Sequence, residues 1–177
     1  TVDTVSASEP LPFCSEDSVG SACVTLRESI GPWMLERIVP AVGTQSIVML
    51  STPSFEQLPG LFGREEPAIL TLACLGGETQ MEFKFGNNFM SDVEDFGRLV
   101  YKVDDAPPVA LDVVASEDRF ALGVASSTVS RAIITRFFGS NRLSVGATSF
   151  TGRNMNASFA IDGLRDAVVP LREACDW

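Results

Sequence analysis

The chain has 177 residues, of which 45% are hydrophobic and 20% are charged. These values are typical of one globular domain and exclude a collagen-like, coiled-coil or largely disordered protein. Thirteen Lys and Arg residues against 23 Asp and Glu residues give a net charge of -10, which disfavours binding to nucleic acid or anionic lipid. The sequence contains no histidine, which excludes Ser-His-Asp triads, Cys-His dyads and His-ligated metals.

The N-terminal part of the chain is predicted to contain little regular structure. Residues 1–13 are small and polar and include prolines, which predicts a flexible tether. Residues 14–32 are expected to form a segment closed by a disulfide, with a loop or one helical turn at its end. The remainder, residues 33–177, is predicted to be a single β-rich domain.

The first half of this domain alternates β-biased runs with turn signals. Strands are expected over residues 33–38 and 45–52, and the proline-rich residues 53–67 are expected to form a long loop. Residues 67–75 are nearly all apolar, which predicts a central strand. After the Gly76-Gly77 turn, residues 79–85 alternate strictly between apolar and polar side chains, which predicts a strand with one solvated face and antiparallel pairing.

The second half adds more strands and two helices. Apolar residues at helical spacing after Ser127 predict one helix that ends near Gly139. A terminal helix is expected over residues 163–175, with Asp162 as its cap and a kink at Pro170. Strands are expected over residues 98–103, 109–115, 120–124, 142–150 and 154–161. The predicted fold is mainly β with two helices (α+β), an antiparallel sandwich or barrel-like sheet.

The four cysteines indicate the compartment. Cys14, Cys23, Cys74 and Cys175 contain no C-x-x-C pair, so a metal site is not expected, and three disulfide pairings are possible. We favour a local Cys14–Cys23 bond, and a Cys74–Cys175 bond because the apolar stripe of the terminal helix presents Cys175 to the central strand. Two disulfides predict an oxidising, extracytoplasmic location, and the acidic start of the chain predicts a trimmed export product.

No catalytic or cofactor-binding motif is recognisable. Nucleophile elbows, P-loops, dinucleotide fingerprints and metalloprotease motifs are all absent from the sequence. The acidic run from Asp92 to Gly97 begins like a calcium loop, but Phe96 and Val103 occupy positions that need oxygen ligands. No run of apolar residues is long enough for a membrane span. Metal, cofactor and catalytic residues are therefore not expected.

The candidate contact surface lies in residues 83–95. Phe89 and Met90 are adjacent and large, so they cannot easily both face inward, and one of them is expected to form an exposed apolar patch. Asn87 and Asn88 follow Gly86 in a predicted turn. The candidate binding residues are Phe83, Phe85, Asn87, Asn88, Phe89, Met90 and Asp92.

Two blocks of the sequence resemble a known family. Residues 159–164 (FAIDGL) and 167–177 (AVVPLREACDW) resemble the C-terminus of the type VI secretion-associated TagO/VasI-like exported proteins. Residues 70–74 (LTLAC) and 78–83 (ETQMEF) are similar to the cysteine strand and the following strand of that family, and Trp33 takes the place of a family tryptophan. The resemblance implies a bacterial exported protein, and the Cys74–Cys175 bond that it implies agrees with the pairing favoured above.

These observations predict a non-enzymatic binding or accessory protein of a bacterial cell envelope, periplasmic and with a protein partner. The resemblance adds an association with a secretion system. One alternative is an acidic inhibitor of a basic cell-wall hydrolase of the lysozyme type, attracted by charge. A second alternative is a carboxylate-dependent glycan hydrolase, which would need two acidic side chains about 5 to 10 Å apart in a cleft.

Overall fold

A computed structural model describes residues 10–43 and 45–177. Within these residues the chain forms eleven strands and three α-helices. The strands are β1 (Cys23–Ile30), β2 (Trp33–Val39), β3 (Ile47–Pro59), β4 (Glu65–Leu75), β5 (Glu78–Phe85), β6 (Arg98–Val103), β7 (Val109–Asp112), β8 (Val114–Ala115), β9 (Ala121–Gly123), β10 (Arg142–Thr148) and β11 (Asn154–Ala160). The helices are α1 (Ser127–Arg136), α2 (Leu164–Ala167) and α3 (Val169–Cys175).

The strands form one antiparallel sheet in the order β7-β6-β10-β11-β3-β4-β5-β9-β8. Strands β7 and β8 are separated only by Val113, so the two ends of this order meet and the sheet curls into a nearly closed barrel. The β1–β2 hairpin pairs with the first half of β3, beside the point where β11 pairs at Ser54. The predicted antiparallel, barrel-like fold is confirmed.

The barrel encloses a continuous apolar core. In β5 the side chains of Met81, Phe83 and Phe85 point inward, as the alternating sequence pattern predicts. The ring of Phe83 packs against that of Phe159 from β11 with 6.1 Å between centroids. Because both rings are buried in the core, their contact holds β5 and β11 together through burial of aromatic surface.

The long loop predicted over residues 53–67 is wrong, because β3 continues to Pro59 and β4 begins at Glu65. The prolines led to the error, although Pro53 lies at a shift of the β3–β4 register and Pro59 lies at the end of the strand. At these positions a missing N–H donor is tolerated. The Ser54 hydroxyl restores pairing at the shift, since it accepts the N–H of Ala68 at 2.8 Å and donates to the carbonyl of Glu56 at 2.7 Å.

The N-terminal segment joins the same sheet. The loop or helical turn expected before residue 29 is wrong, because Cys23–Ile30 is strand β1 and pairs with β2. The Cys14–Cys23 disulfide forms as predicted. Next to it, the N–H of Val24 donates to the Pro12 carbonyl at 2.8 Å. Residues 1–9 of the predicted tether lie outside the described residues.

The terminal helix is divided in two rather than kinked. Helix α2 ends at Ala167 and α3 begins at Val169, which places Pro170 in the first turn of α3. Proline is favoured there because the first N–H groups of a helix have no partner within it. The predicted Asp162 cap is also wrong, since Gly163 caps α2 with a φ of 70°. Helix α3 carries Cys175 to Cys74 on β4, and the predicted disulfide forms.

The barrel has two different ends. We call one the helix end, because all three α-helices lie there. Helix α1 starts beside β5, where Ser127 accepts the N–H of Thr79 at 2.9 Å, and ends beside Tyr101 of β6. Helices α2 and α3 follow β11. The other is the loop end. It carries the turns and loops at residues 60–64, 86–97, 116–120 and 149–153.

Candidate functional site

The segments of the loop end are joined by backbone hydrogen bonds. These bonds connect the 86–97 loop with each of the other three, so the four segments form one continuous platform. The bonds run from Phe150 N to Phe89 O at 2.8 Å, from Met90 N to Arg119 O at 2.7 Å, and from Leu61 N to Asn87 O at 3.1 Å. Side chains on this platform are therefore held in fixed relative positions.

The platform exposes large apolar side chains. We define the loop-end aromatic surface as Phe62, Phe89, Val93, Phe96, Phe120 and Phe150. Three of its phenylalanines are strongly exposed, at 98% for Phe62, 60% for Phe150 and 42% for Phe89. Phe89 stacks on Phe120 with ring centroids 4.8 Å apart, and Phe96 contacts Phe150 at 6.1 Å. Phe89 and Phe150 also line one cavity, so these two pairs are contiguous, and contiguous exposed aromatic groups mark interaction sites.

An open apolar cavity of about 400 Å³ lies within this surface. Phe89 and Phe150 form its walls together with Val93 and Met90, and Ser91 and Arg119 complete the lining. Met90 is almost fully buried at the base. A cavity of this size can take one large apolar side chain of a partner, which is how anchor residues bind in protein interfaces.

Phe62 is held at the tip of the β3–β4 turn in an unfavourable backbone conformation. Its φ is +58° and its ψ is +26°, the left-handed region that favours glycine and costs a phenylalanine about 1 kcal/mol or more. The side chain gains no packing in return, because it is almost entirely exposed. Such a residue contributes nothing to the stability of the free protein.

Asp92 ties the 86–97 loop to the barrel wall. Its carboxylate accepts the N–H of Ala115 on β8 at 3.0 Å and pairs with the Arg119 guanidinium at 3.2 Å. The hydrogen bond from Ala115, together with the charge of Arg119, lowers the pKa of Asp92 below its ordinary value. The ionised carboxylate therefore fastens the loop that carries Phe89.

One side of the rim, in the 86–97 loop, is acidic, whereas Arg64 and Arg153 lie in two of the other segments. Glu94 and Asp95 follow Asp92 in the same loop and are exposed. Neither makes an ion pair with another side chain among residues 10–43 and 45–177. The surface thus combines an apolar centre with unpaired negative charge at its edge, which complements a partner with basic residues around an apolar group.

The structure corrects the predicted contact residues. Phe89 and Asp92 lie at the loop end, and Asn87 is half-buried beside the β3–β4 turn. Three of the other four predicted residues are buried within the barrel or the loop and do not line the cavity; they are Phe83, Phe85 and Asn88. The fourth, Met90, is buried at the base of the cavity, where a side chain that enters the cavity can contact it. Of the pair in which one member was expected to be exposed, Phe89 is exposed and Met90 is buried.

Asn88 has a structural role. Its side-chain amide donates to the carbonyls of Pro59 at 3.0 Å and Phe85 at 2.9 Å, which fixes the loop against the end of β3.

Sequence analysis did not select Phe62, Phe120 or Phe150 as contact residues. Phe62 precedes Gly63 and Phe150 precedes the Thr151-Gly152 turn, and a large aromatic residue inside a turn signal was the only available indication of exposure.

Two neighbouring carboxylates on the barrel wall have opposite pKa shifts. Glu82 lies on the exposed face of β5. Partial desolvation by its neighbours raises its pKa and the charge of Asp118 raises it further, whereas Lys84 opposes the change. Hydrogen bonds from Ser116 and Phe120 lower the pKa of Asp118. One oxygen of Asp118 accepts both bonds, at 2.6 and 3.0 Å, and so builds the β8–β9 turn.

Two negative observations concern the described residues alone. Among residues 10–43 and 45–177, no group of three or more cysteine, aspartate or glutamate side chains could hold a metal ion. No helix in this part of the chain is both long and apolar enough to cross a membrane.

The sequence matches no protein-family model and no curated protein. A solved structure with a similar fold is that of invasion associated protein B from Bartonella henselae, with a TM-score of 0.53 and 11% sequence identity. The similarity covers 86% of this chain and 100% of the other. At this identity the likeness concerns the fold alone.

Proposed function

We propose that the protein is an exported, non-enzymatic binding protein that docks a protein partner on its loop-end aromatic surface. The observation that carries the proposal is the exposure of Phe89 and Phe150 around one apolar cavity, with Phe62 exposed on a segment that a backbone hydrogen bond joins to the same loop. Burying three such side chains in an interface provides the anchor contacts that dominate binding free energies. The two disulfides support an oxidising, periplasmic location.

The experiment compares three forms of the full chain immobilised on a resin. They are the wild type, a triple variant with Phe62, Phe89 and Phe150 changed to serine, and a control variant with two exposed valines of the helices changed to serine, Val129 and Val169. Each is incubated with an envelope extract of the source organism, and bound proteins are quantified by mass spectrometry. A specific partner is retained by the wild type and the control and lost from the triple variant. Equal retention by all three forms contradicts the proposal.

A second candidate function is inhibition of a basic cell-wall hydrolase. The acidic rim at Glu94 and Asp95 favours it, because such a hydrolase would place cationic groups against the rim while an apolar side chain enters the cavity. The test measures lysozyme activity with added protein at low and high salt. Inhibition at low salt that is lost at high salt supports this candidate, and full lysozyme activity at low salt removes it.

The third candidate function is that of a glycan hydrolase. It would use Glu82 as the acid and Asp118 as the base, because opposite pKa shifts in neighbouring carboxylates suit those two tasks. We favour the turn-building role of Asp118 instead. Release of soluble fragments from dyed peptidoglycan by the wild type, but not by Glu82→Gln, would overturn the non-enzymatic assignment.

The association with a secretion system is supported by the TagO/VasI-like sequence blocks. They contain Cys74 and Cys175, and they do not contain Phe62, Phe89 or Phe150. The family proposal and the docking proposal therefore depend on different residues. The identity of a partner captured by the loop end tests the association, since the proposal expects an envelope component of that secretion system.

A further inference from the structure

A second groove lies on the side of the barrel, away from the loop-end aromatic surface. It crosses the outer face of β6, β10 and β11, and its volume is about 400 Å³. Side chains at alternating positions line it, with Lys102 on one wall, Ser144 and Gly146 on the floor, and Asn156 and Arg142 on the other side. Sequence analysis singled out none of these residues as a site.

Gly146 keeps the floor of the groove open. It lies in the middle of β10 and its φ is not positive, so the backbone conformation does not require glycine. A Cβ atom at this position would come within 3.1 Å of the Asn156 side-chain oxygen. Glycine inside a strand weakens the strand, and one reason to retain it is the close approach of a ligand.

One wall of the groove is preorganised by hydrogen bonds. The Ser158 hydroxyl donates to Glu56 at 2.5 Å and accepts a bond from the Arg142 guanidinium at 2.8 Å. The other Glu56 oxygen accepts the Ser158 N–H at 2.7 Å. Burial acts to raise the pKa of Glu56, but the bonds from Ser158 and the charge of Arg142 outweigh it and lower the pKa. Glu56 is therefore an ionised group with a hydrogen bond on each oxygen, and its charge faces the Arg142 guanidinium at 3.9 Å.

The unused hydrogen-bonding groups of the groove are mainly donors. Lys102 makes no ion pair within residues 10–43 and 45–177. Arg142 uses a single nitrogen both to donate to Ser158 and to pair with Glu56, which leaves its other N–H groups as donors. The other nearby carboxylate, that of Asp104, is occupied by the N–H groups of Asn141 and Arg142. Two cations with free donors face the groove, so an anionic, acceptor-rich ligand complements it.

The surroundings favour a sugar chain over a peptide. Strands β6 and β10, which form one wall and the floor of the groove, each pair on both sides, so a peptide cannot add to them as another strand. The Arg142 guanidinium carbon lies over the ring of Phe55, 5.4 Å from the ring centroid. Most of the Phe55 side chain is exposed, and this apolar surface is one on which the face of a sugar can pack.

We propose that the groove across β6, β10 and β11 binds a carboxylate-bearing glycan, with Lys102 and Arg142 contacting its carboxylates and Gly146 admitting its rings. The proposal concerns a surface separate from the loop-end aromatic surface and does not depend on the protein partner. It gives the protein a second type of ligand.

The experiment uses the full chain and trigalacturonic acid, with maltotriose as an uncharged trisaccharide and triglutamate as an acidic peptide. Binding is measured by titration calorimetry at millimolar ligand and low salt. We expect binding of trigalacturonic acid alone. Lys102→Gln should weaken it about tenfold through loss of one charge-assisted contact. The matched control is Lys84→Gln. Lys84 is the only other lysine of the chain and lies on β5, outside the groove, so this variant should leave the affinity unchanged.

A second variant tests the shape of the groove. Gly146→Val fills the floor and should abolish binding, and a circular dichroism spectrum and melting curve establish that the variant is folded. If Gly146→Val is unfolded, the Lys102→Gln result alone decides whether the groove binds the ligand. Absence of trigalacturonic acid binding, equal weakening by Lys84→Gln, or equal or tighter binding of maltotriose or triglutamate would each overturn the proposal.

Discussion

The two ends of the barrel differ in how much aromatic surface they expose to solvent. At the helix end, α1 and the residue after it bury Ile133, Ile134 and Phe137, and α3 is fastened to β4 by a disulfide. At the loop end no α-helix lies over the barrel within the described residues, and phenylalanines project outward. Single exposed valines occur at the helix end also, but within the described residues no large ring on or directly after the helices is exposed, whereas the loop end exposes three phenylalanines.

The difference also separates stability from function. Residues at the helix end stabilise the fold through burial and covalent linkage, so changes there should lower the free energy of unfolding. Residues at the loop end are exposed and partly strained, so changes there should alter partner binding with little loss of stability. Each prediction below tests one side of this division.

The largest expected effect is loss of the Cys74–Cys175 bond. The bond closes a loop of 101 residues, and its removal in the Cys74→Ala/Cys175→Ala double variant should cost about 4 to 5 kcal/mol of unfolding free energy. Urea unfolding measures the change. The Cys14→Ala/Cys23→Ala variant opens a loop of nine residues and should cost about 2.5 to 3 kcal/mol. Equal costs would mean that loop length does not determine the stabilisation.

The next effect contrasts a buried phenylalanine with an exposed one. Phe83→Ala leaves a cavity in the core and should lower the unfolding free energy by about 3 to 5 kcal/mol. Phe89→Ala removes a half-exposed ring and should cost about 1 kcal/mol or less. Chemical denaturation of both variants measures the difference. A cost for Phe89→Ala as large as that for Phe83→Ala would show that the loop end is part of the core.

Phe62→Gly should separate stability from binding most clearly. Glycine adopts a φ of +58° without strain, so the variant should be more stable than the wild type by about 0.5 to 1 kcal/mol. The same variant lacks the most exposed ring of the loop-end aromatic surface and should bind the captured partner at least about tenfold more weakly. Thermal melting and a binding titration give the two values. A stabilised variant with unchanged affinity would remove Phe62 from the interface.

The smallest expected effect is a pH dependence confined to the loop end. The pKa of Asp92 is lowered in the folded protein, so its contribution to stability is present above the pKa of the unfolded chain and is lost as pH falls through the folded value. The protection factors of the amides in residues 86–97, which are exchange rates referred to the intrinsic rate at each pH, should therefore fall at acidic pH. Asp92→Asn should show low protection of these amides at neutral pH also. An equal loss of protection in α1 would point to global unfolding instead.

Sequence patterns predicted the fold better than the contact surface, for physical reasons. The alternation in residues 79–85 and the apolar stripe ending at Cys175 record burial directly, so they identified a strand and a disulfide. Pro53 and Pro59 led to the prediction of a loop. A strand tolerates them because Pro53 lies at a register shift and Pro59 at the strand end, and neither position can be seen without the strand pairing. The exposure of Phe62 and Phe150 depends on which turns meet at one end of the barrel, and no local pattern contains that information.

The most direct test of the docking surface places a photo-crosslinking amino acid at single positions of the full chain in living cells. Positions 62 and 89 represent the loop end, and positions 129 and 169 represent the helices. The account predicts a covalent adduct with the same partner protein from both loop-end positions and none from the helix positions. Adducts of that partner from positions 129 and 169, with none from 62 and 89, would contradict it.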